Sequence, residues 1–503
     1  MSFYEAYKPF RNYLRQFDLP SSLVDVWQYF LHIAEGRPLP ANYAIGKNAA
    51  TIGPMKDHIY PWDLDILARE LILNAGIGGK RSLRKWDDLA TAINHLRRLD
   101  DAAFESRPQQ DILFEVHRIA HRQFPWQMNK GVNPMMRAFK VFGGQGVAAI
   151  VHRELGMTVD EFFLLGMAVS GHFLKNPGLI VYKDYSALGI SKDAGDGFFR
   201  RLSCPLEELR KTTSKYQAYN QDWLYAWNPL VATPLIRINP LHLDRLICPL
   251  PPYLMRRATT GIFYDLVRSS DFDNPFGHSF EAYIGEVIQI TCPPPKFSLF
   301  AEEPYFLGTN KKQGVDWILS DDTGHLFIEA KTKRLTVNAK TLSDVTALEN
   351  DLLVMATAIA QHYRNIRDAL DSKTRWQPDR RPIYPLVLTL EDWFIFSPRV
   401  REMLQVHVRR LLAQHGVAEE IMSEMPYTIM SAEEFELVAQ IISRTAVVSV
   451  MGKKTGGEFG SWSMLPFINQ EFKEEMKRVN WRLFDEEFNQ LMPEAIDISA
   501  LTK

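Results

Sequence analysis

Two carboxylates and a lysine lie within one short stretch of the chain, in an order that suits metal-assisted chemistry. Asp316 belongs to one β-rich run and Glu329 and Lys331 to the next, and residues 321–324 between the runs have the composition of a hairpin loop. If that loop is the turn, Asp316 faces Glu329 across the hairpin and Lys331 projects from the same face. Facing carboxylates lie about 4.5–5.5 Å apart at Cβ and repel each other, so a hard cation, Mg²⁺ or Mn²⁺, would relieve the conflict.

The same register separates apolar from polar partners, which supports the hairpin. One face pairs only apolar residues: Val315 with Ala330, Trp317 with Ile328, and Leu319 with Leu326. On the polar face, Ile318 and Phe327 predict surroundings that are only partly wet, which is more typical of a site than of a solvated surface. The alternative is an ordinary half-exposed hairpin whose outer face carries common charged residues.

A third acid precedes the hairpin on a predicted helix. The apolar residues between positions 277 and 288 form one stripe at about 100° per residue. Glu281 lies at the edge of this stripe and can reach the core side, whereas Glu286 points away from it. On helix geometry alone, Glu281 also fits an ordinary residue at the boundary between core and solvent.

Together these segments resemble the core of the PD-(D/E)XK nuclease superfamily, which includes restriction endonucleases, RecB-type exonucleases and junction resolvases. The resemblance rests on Phe280–Tyr283 in a helix, on Gly314–Asp316, and on Ile328–Lys331 at the end of a strand. It covers residues 272–398. Val315 stands where the superfamily has its name-giving proline.

The resemblance implies a role for each of four residues. Asp316 and Glu329 are implied as ligands of Mg²⁺ or Mn²⁺. Lys331 is implied as the catalytic lysine, and Glu281 as the acid that a helix supplies. The implied reaction is metal-dependent hydrolysis of nucleic-acid phosphodiester bonds by an endonuclease.

A long amphipathic helix and a further strand follow the hairpin, as this fold requires. Apolar residues step by three or four from Val345 to Leu370, and a β-rich run follows at residues 384–390. Gln361 and Tyr363 resemble the Gln/Tyr element of RecB-like nucleases, although their spacing differs from the usual one. Gln361 is therefore a candidate, and Tyr363 is expected in the core.

Basic residues before the first strand and after the second are candidates for contacts to a phosphate backbone. These substrate-binding candidates are Lys311, Lys312, Lys333 and Arg334. For Lys333 and Arg334, the alternative is a solvated run of charge.

Three regions must position these residues. Residues 1–250 show three- and four-residue spacing of apolar side chains, which predicts a helical region for recognition or regulation. Six prolines between positions 229 and 252 mark its end. Residues 251–400 then form the nuclease-like core, and residues 401–503 form a mixed, mainly helical extension packed on it. The predicted fold class is an α-helical N-terminal half followed by an α/β restriction-endonuclease-like domain with a helical C-terminal extension.

The composition is that of a globular protein. Of its 503 residues 46% are hydrophobic, and a net charge of −2 excludes a histone-like coat of cations. Three cysteines without paired spacing predict a reducing cytoplasm, and the sequence predicts neither a secretory signal nor a membrane span. Residues 143–146 lack the lysine of a P-loop, and no HExxH zinc motif occurs.

The resulting hypothesis is a nuclease that acts on DNA, with RNA as the alternative substrate. A large helical half without a helicase motif resembles effectors of prokaryotic defence systems, in which a protein activator or sensor would bind the helical half. With one site per chain, a homodimer would be needed to cut both strands in one encounter. The alternatives are a catalytically silent nuclease fold that binds nucleic acid, and a helical interaction protein whose α/β part is structural.

Overall fold

The computed structural model describes residues 2–43, 58–106, 112–127, 131–181, 184–301, 303–342, 344–395 and 397–491. The end of the predicted C-terminal extension, residues 492–503, lies outside the described residues. The first half is mainly helical and the second combines helices with a mixed sheet, as predicted. Within the described residues no single helix is long and apolar enough to cross a membrane, although one bent pair, Ala432–Arg444 with Val448–Thr455, passes by length and composition.

Helices run through both halves of the chain. Those of the first half are α1 (Phe3–Leu14), α2 (Leu19–Glu35), α3 (Pro61–Asn74), α4 (Trp86–Glu105), α5 (Ile112–Gln123), α6 (Val132–Gly143), α7 (Val147–Leu155), α8 (Val159–Phe173), α9 (Lys192–Leu202) and α10 (Leu206–Tyr216). Those of the second half are α11 (Pro251–Ala258), α12 (Phe263–Leu266), α13 (Asp273–Thr291), α14 (Val337–Thr341), α15 (Val345–Leu370), α16 (Pro398–Gln414), α17 (Ile421–Glu424), α18 (Ala432–Arg444), α19 (Lys453–Thr455), α20 (Met464–Glu471), α21 (Lys473–Met476) and α22 (Asp485–Leu491). Ser431 and Glu434 begin α18 with a capping box, in which each side chain accepts a hydrogen bond from the other residue's backbone amide.

The strands belong to three sheets. They are β1 (Gly178–Ile180), β2 (Ser203–Pro205), β3 (Leu235–Arg237), β4 (Arg245–Ile247), β5 (Ser298–Ala301), β6 (Tyr305–Leu307), β7 (Asn310–Lys312), β8 (Trp317–Ser320), β9 (His325–Lys331), β10 (Ile383–Thr389) and β11 (Thr428–Ser431). The sequence did not predict the small sheet β1-β4-β3-β2 in the helical half. Each of its strands has three residues, which is too short to show an alternating pattern.

The second half is built around a five-stranded sheet in the order β11-β10-β9-β8-β5. β9, β10 and β11 are parallel, and the antiparallel strands β8 and β5 extend the sheet beyond β9. α15 connects β9 to β10, which is the predicted crossover, and β10 is the strand predicted at residues 384–390. The two β-rich runs and the loop between them form the hairpin β8–β9.

Helices cover both faces of this sheet. α13 and α18 pack on one face, against Leu326 and Ile328 of β9. α15 packs on the other face, against Phe327 of β9 and Val387 of β10. Every residue of β10 is buried, which fits the continuous apolar run of a parallel strand between two helical layers.

The largest hydrophobic core contains residues from both sides of the predicted boundary at residue 250. It joins α6, α7 and α8 to α13, the sheet and α18. Arg137 of α6 donates a hydrogen bond of 2.6 Å to Glu436 of α18, and Ser279 of α13 donates one of 2.7 Å to the Val141 carbonyl of α6. The division at residue 250 stays a prediction, and α6 packs as part of the core of the second half.

Candidate functional site

The hairpin has the predicted register along the whole of β8. The antiparallel pairs are Trp317 with Ile328, Ile318 with Phe327, Leu319 with Leu326, and Ser320 with His325. The amide of Asp321 donates to the Gly324 carbonyl at 3.1 Å and closes the turn. The loop composition of residues 321–324 therefore located the turn correctly, and side-chain alternation agreed with it.

Before β8, the chain leaves the ladder, so the predicted pairings of Val315 with Ala330 and of Asp316 with Glu329 are both wrong. Val315 packs beside Ile318 on the α15 side of the sheet instead. The side chain of Asp316 takes the free ladder position, because its Oδ2 accepts a hydrogen bond of 2.6 Å from the Ala330 amide. This bond holds the Asp316 carboxylate against the end of β9.

The polar face of the hairpin is largely buried. Asp316 is 7% exposed and Glu329 is 5% exposed. Ile318 and Phe327, on the same face, are buried under α15. Helices cover this sheet on both sides and bury most of this face, which opens to solvent at Lys331.

Asp316, Glu329 and Lys331 form a cluster, and Lys331 lies on its solvent-exposed side. It projects from the same face of β9 as Glu329, two residues earlier, and its Nζ lies 2.5 Å from Glu329 Oε1. The side chain of Lys331 is 35% exposed, against 7% for that of Glu329. The cluster therefore reaches solvent through its lysine.

Negative charge exceeds positive charge around Asp316. Burial raises the pKa of Asp316 well above its ordinary value, and the carboxylates of Glu329 and Glu281 raise it further. Lys331 offsets only part of this effect. Burial also opposes ionisation of Glu329, but His362 and Lys331 outweigh it and lower the pKa of that carboxyl.

The same carboxylates also change the pKa of Lys331. Burial acts to lower the pKa of Lys331, but the carboxylates of Glu329 and Asp316 outweigh it, and the pKa is raised. Lys331 is therefore a permanent cation at neutral pH. It can stabilise negative charge, but it cannot act as a general base there.

The Glu281 carboxylate interacts electrostatically with Asp316. Glu281 lies on α13, which is anchored to the hairpin because Trp317 Nε1 donates to the main-chain carbonyl of Glu281 at 2.9 Å. Its carboxylate is 25% exposed and lies 3.0 Å from His278 Nδ1. Its effect on the pKa of Asp316 shows that it adds negative charge to the site. The structure thus brings all four residues with predicted catalytic roles to one end of the sheet.

The sequence analysis missed His362, which lies behind Glu329. His362 is 1% exposed on α15, and its Nδ1 lies 3.6 Å from Glu329 Oε2. It follows Ile359 by three positions and precedes Ile366 by four, so it stands within the apolar stripe of the helix. A polar residue at such a position is the signal that could have pointed to it.

The other two candidates on α15 have local roles. Gln361 donates to Asn365 at 2.9 Å and accepts from Arg364 at 3.1 Å, within its own helix. Tyr363 is buried, and its hydroxyl donates to the Met425 carbonyl at 2.8 Å. The expectation that Tyr363 lies in the core is confirmed.

Arg334 has a structural role instead of the predicted contact to phosphate. Its side chain is 5% exposed, and one guanidinium nitrogen lies 3.2 Å from Glu391 Oε1. The guanidinium carbon lies 4.1 Å from the centroid of the Phe263 ring. Its charge is directed into the protein and is not presented to a substrate.

The three lysines among the substrate-binding candidates differ in their freedom. Lys312 Nζ lies 2.9 Å from Asp368, and Lys333 Nζ lies 3.2 Å from Asp351. Lys311 is exposed on β7. Contact of Lys312 or Lys333 with phosphate would require exchange of an existing ion pair, whereas Lys311 is already turned to solvent.

The donor atoms of the cluster suit a hard divalent cation in kind. They are carboxylate oxygens, and around Asp316 the carboxylates of Glu329 and Glu281 face a single lysine, Lys331. Among the residues that the structure describes, no group of three or more His, Cys, Asp or Glu side chains is close enough to hold a metal ion. A cation on Asp316 and Glu329 would therefore take its other ligands from solvent and substrate, as Mg²⁺ commonly does.

Comparison with known proteins adds no further identification. No family model matches the chain, and neither the curated proteins nor the solved structures contain a significantly similar one. The likeness to PD-(D/E)XK nucleases therefore depends on residues 280–331 and on the order of the helix, hairpin and crossover around them.

Proposed function

We propose that the chain is a metal-dependent nuclease with a restriction-endonuclease-like core, and that it hydrolyses the phosphodiester bonds of DNA. The observation that carries this proposal is the cluster of buried Asp316 and Glu329 beside the partly open Lys331. Buried carboxylates with too little positive charge around them attract a cation, and the open lysine admits a phosphate from the same side.

Each residue of the cluster has a task that follows from its contacts. Glu329 is held by Lys331 through Oε1, and Asp316 by the Ala330 amide, so both carboxylates are fixed before substrate binds. Lys331, permanently cationic and one-third exposed, stabilises negative charge that develops on a phosphate. A bound Mg²⁺ or Mn²⁺ would polarise the phosphate and lower the pKa of a water molecule.

Glu281 is the acid closest to solvent among the three carboxylates. Its partner His278 is largely exposed, so the Glu281 carboxylate can reorient toward a substrate or a water molecule. We assign it to the orientation of water at the open end of the cluster.

The test is cleavage of plasmid DNA, single-stranded DNA and total tRNA with Mg²⁺ or Mn²⁺. Lys331→Met should reduce cleavage at least about 100-fold, as the loss of a group that stabilises transition-state charge does. Lys477→Met is the matched control, because Lys477 is an exposed lysine paired with Glu474 on α21. Equal activity of the wild type and both variants would assign the cleavage to a contaminant and reject the proposal.

A catalytically silent module that binds nucleic acid or protein is the second candidate. The observation that favours it is the absence, among the described side chains, of a third metal-ligating group close to Asp316 and Glu329. A wild type that binds DNA, cleaves no substrate and releases no heat on calorimetric titration with Mn²⁺ would favour this candidate over the nuclease.

A further inference from the structure

His362 bridges two groups on β9. Its Nε2 lies 3.0 Å from the main-chain oxygen of Phe327, and its Nδ1 lies 3.6 Å from Glu329 Oε2. The imidazole is 1% exposed. The ring therefore spans from the backbone of the strand to the inner oxygen of the carboxylate.

The hydrogen-bond requirements of this ring leave one proton to be placed. A carbonyl oxygen only accepts, so Nε2 carries a hydrogen and donates it to Phe327. Nδ1 and Glu329 Oε2 are both buried without a hydrogen-bond partner in the described part of the chain. The two atoms face each other at 3.6 Å, which is longer than a hydrogen bond, and a proton on either of them would make this contact attractive.

We propose that His362 is a positioning residue for Glu329. It holds Oε2 toward the core, so that Oε1 faces Lys331 and the open end of the cluster. This inference rests on the proposed function, since it names the residue that fixes an implied metal ligand. Residues that hydrogen-bond to a metal ligand without contacting the metal commonly increase the metal affinity about 10–100-fold.

Because Lys331 is partly exposed, the Glu329 carboxylate needs a second partner inside the protein. Lys331 is the other partner of Glu329, and its ammonium is the group that a substrate phosphate would attract. When the lysine turns to the phosphate, Glu329 would lose its partner inside the protein, and a buried carboxylate without a partner is strongly unfavourable. With His362 on Oε2, Lys331 can move while Glu329 stays in place.

Two variants test whether His362 acts on Glu329 through Nδ1 or only ties α15 to the Phe327 carbonyl through Nε2. Asn places its amide at about the position of Nδ1, and Gln places its amide at about the position of Nε2. His362→Asn should keep the Mn²⁺ dissociation constant within about threefold of the wild type, whereas His362→Gln should weaken it about 10–100-fold. In cleavage assays, His362→Gln should lower kcat and leave the KM for DNA unchanged, because the substrate does not touch His362.

The reverse result would overturn the proposal. If His362→Gln retains Mn²⁺ binding and His362→Asn loses it, the residue acts only by tying α15 to the Phe327 carbonyl. Equal losses in both variants would also reject positioning through Nδ1.

A second measurement requires no metal. In protein labelled with ¹⁵N-histidine, the Nδ1 resonance assigned through His362→Asn should be that of a hydrogen-bonded nitrogen, and it should become that of a bare nitrogen in Glu329→Ala. A bare Nδ1 in the wild type would overturn the proposal. If the wild type binds no Mn²⁺, the proposed function fails, while the nitrogen spectrum still decides whether His362 holds Glu329.

Discussion

Replacing Asp316 and Glu329 in turn by their amides should change the stability of the protein in opposite directions. Folding raises the pKa of Asp316 through burial and neighbouring carboxylates, so the ionised form is disfavoured in the folded state. Folding lowers the pKa of Glu329, because His362 and Lys331 outweigh its burial. Asp316→Asn should therefore stabilise the metal-free protein, and Glu329→Gln should destabilise it.

The size of each effect follows from the contacts. Each unit by which folding raises the pKa of Asp316 corresponds to about 1.4 kcal/mol, and Lys331 offsets part of the repulsion from Glu329. Asn at position 316 can still accept from the Ala330 amide, so we expect a gain of about 1–2 kcal/mol. Glu329→Gln breaks a pair whose lysine is one-third exposed, and with that screening the loss should be about 2–3 kcal/mol.

The assay is thermal unfolding followed by circular dichroism, with chelator present, from pH 4 to pH 8. A raised pKa means that stability is complete below the ordinary aspartate pKa and is lost as the pH rises. The advantage of Asp316→Asn should thus be small near pH 4 and should grow to about 1–3 °C in Tm at pH 7. The deficit of Glu329→Gln should shrink as the pH falls.

Addition of Mn²⁺ supplies the control. At about 100 times its dissociation constant, Mn²⁺ should stabilise the wild type by about 2.7 kcal/mol and leave Asp316→Asn nearly unchanged. If Asp316→Asn lowers Tm at pH 7 as much as Glu329→Gln does, the two carboxylates do not differ as described. The charge imbalance that motivates the metal site would then be refuted.

Three further predictions concern other groups. Burial and the charge of Asp392 raise the pKa of Glu434 to about 8, so the wild type should lose stability as the pH rises from 4.5 toward 8. Glu434→Gln, which can still cap α18, should flatten this profile in Tm measurements, and an unchanged profile would assign the loss to another group. Arg334→Met should lower Tm without changing the salt dependence of DNA binding, because the guanidinium is buried against Glu391; a shallower slope in filter binding would show that it contacts phosphate. Lys311→Ala should reduce by about one the slope of the logarithm of the DNA-binding constant against the logarithm of the salt concentration, since Lys311 is exposed. An unaltered slope would show that Lys311 does not contact the DNA.

The register of the hairpin could be predicted because side-chain period in a strand is two. The loop at residues 321–324 fixed the register, and alternation supported it, since a shift by one residue would have paired apolar with polar side chains. The crossover helix was predictable for the same kind of reason, since its apolar stripe runs over many turns. The periodicity of apolar residues was therefore enough to predict a long element such as α15.

Burial that depends on distant parts of the chain could not be predicted in this way. Arg334 looked like a surface cation, and its partners Glu391 and Phe263 are remote from it in sequence. His362 acquires its role only when α15 packs on β9, which brings it to Glu329. The polar face of the hairpin is dry for the same reason, because the covering helix comes from another part of the chain.

The packing of α6 against α13 has a consequence for how the chain responds as a whole. Because Ser279 bonds to Val141 and Arg137 to Glu436 within one core, α6 should unfold together with α13 and α18. A cut near residue 250 would strip the apolar cover from α13 instead of releasing an independent module.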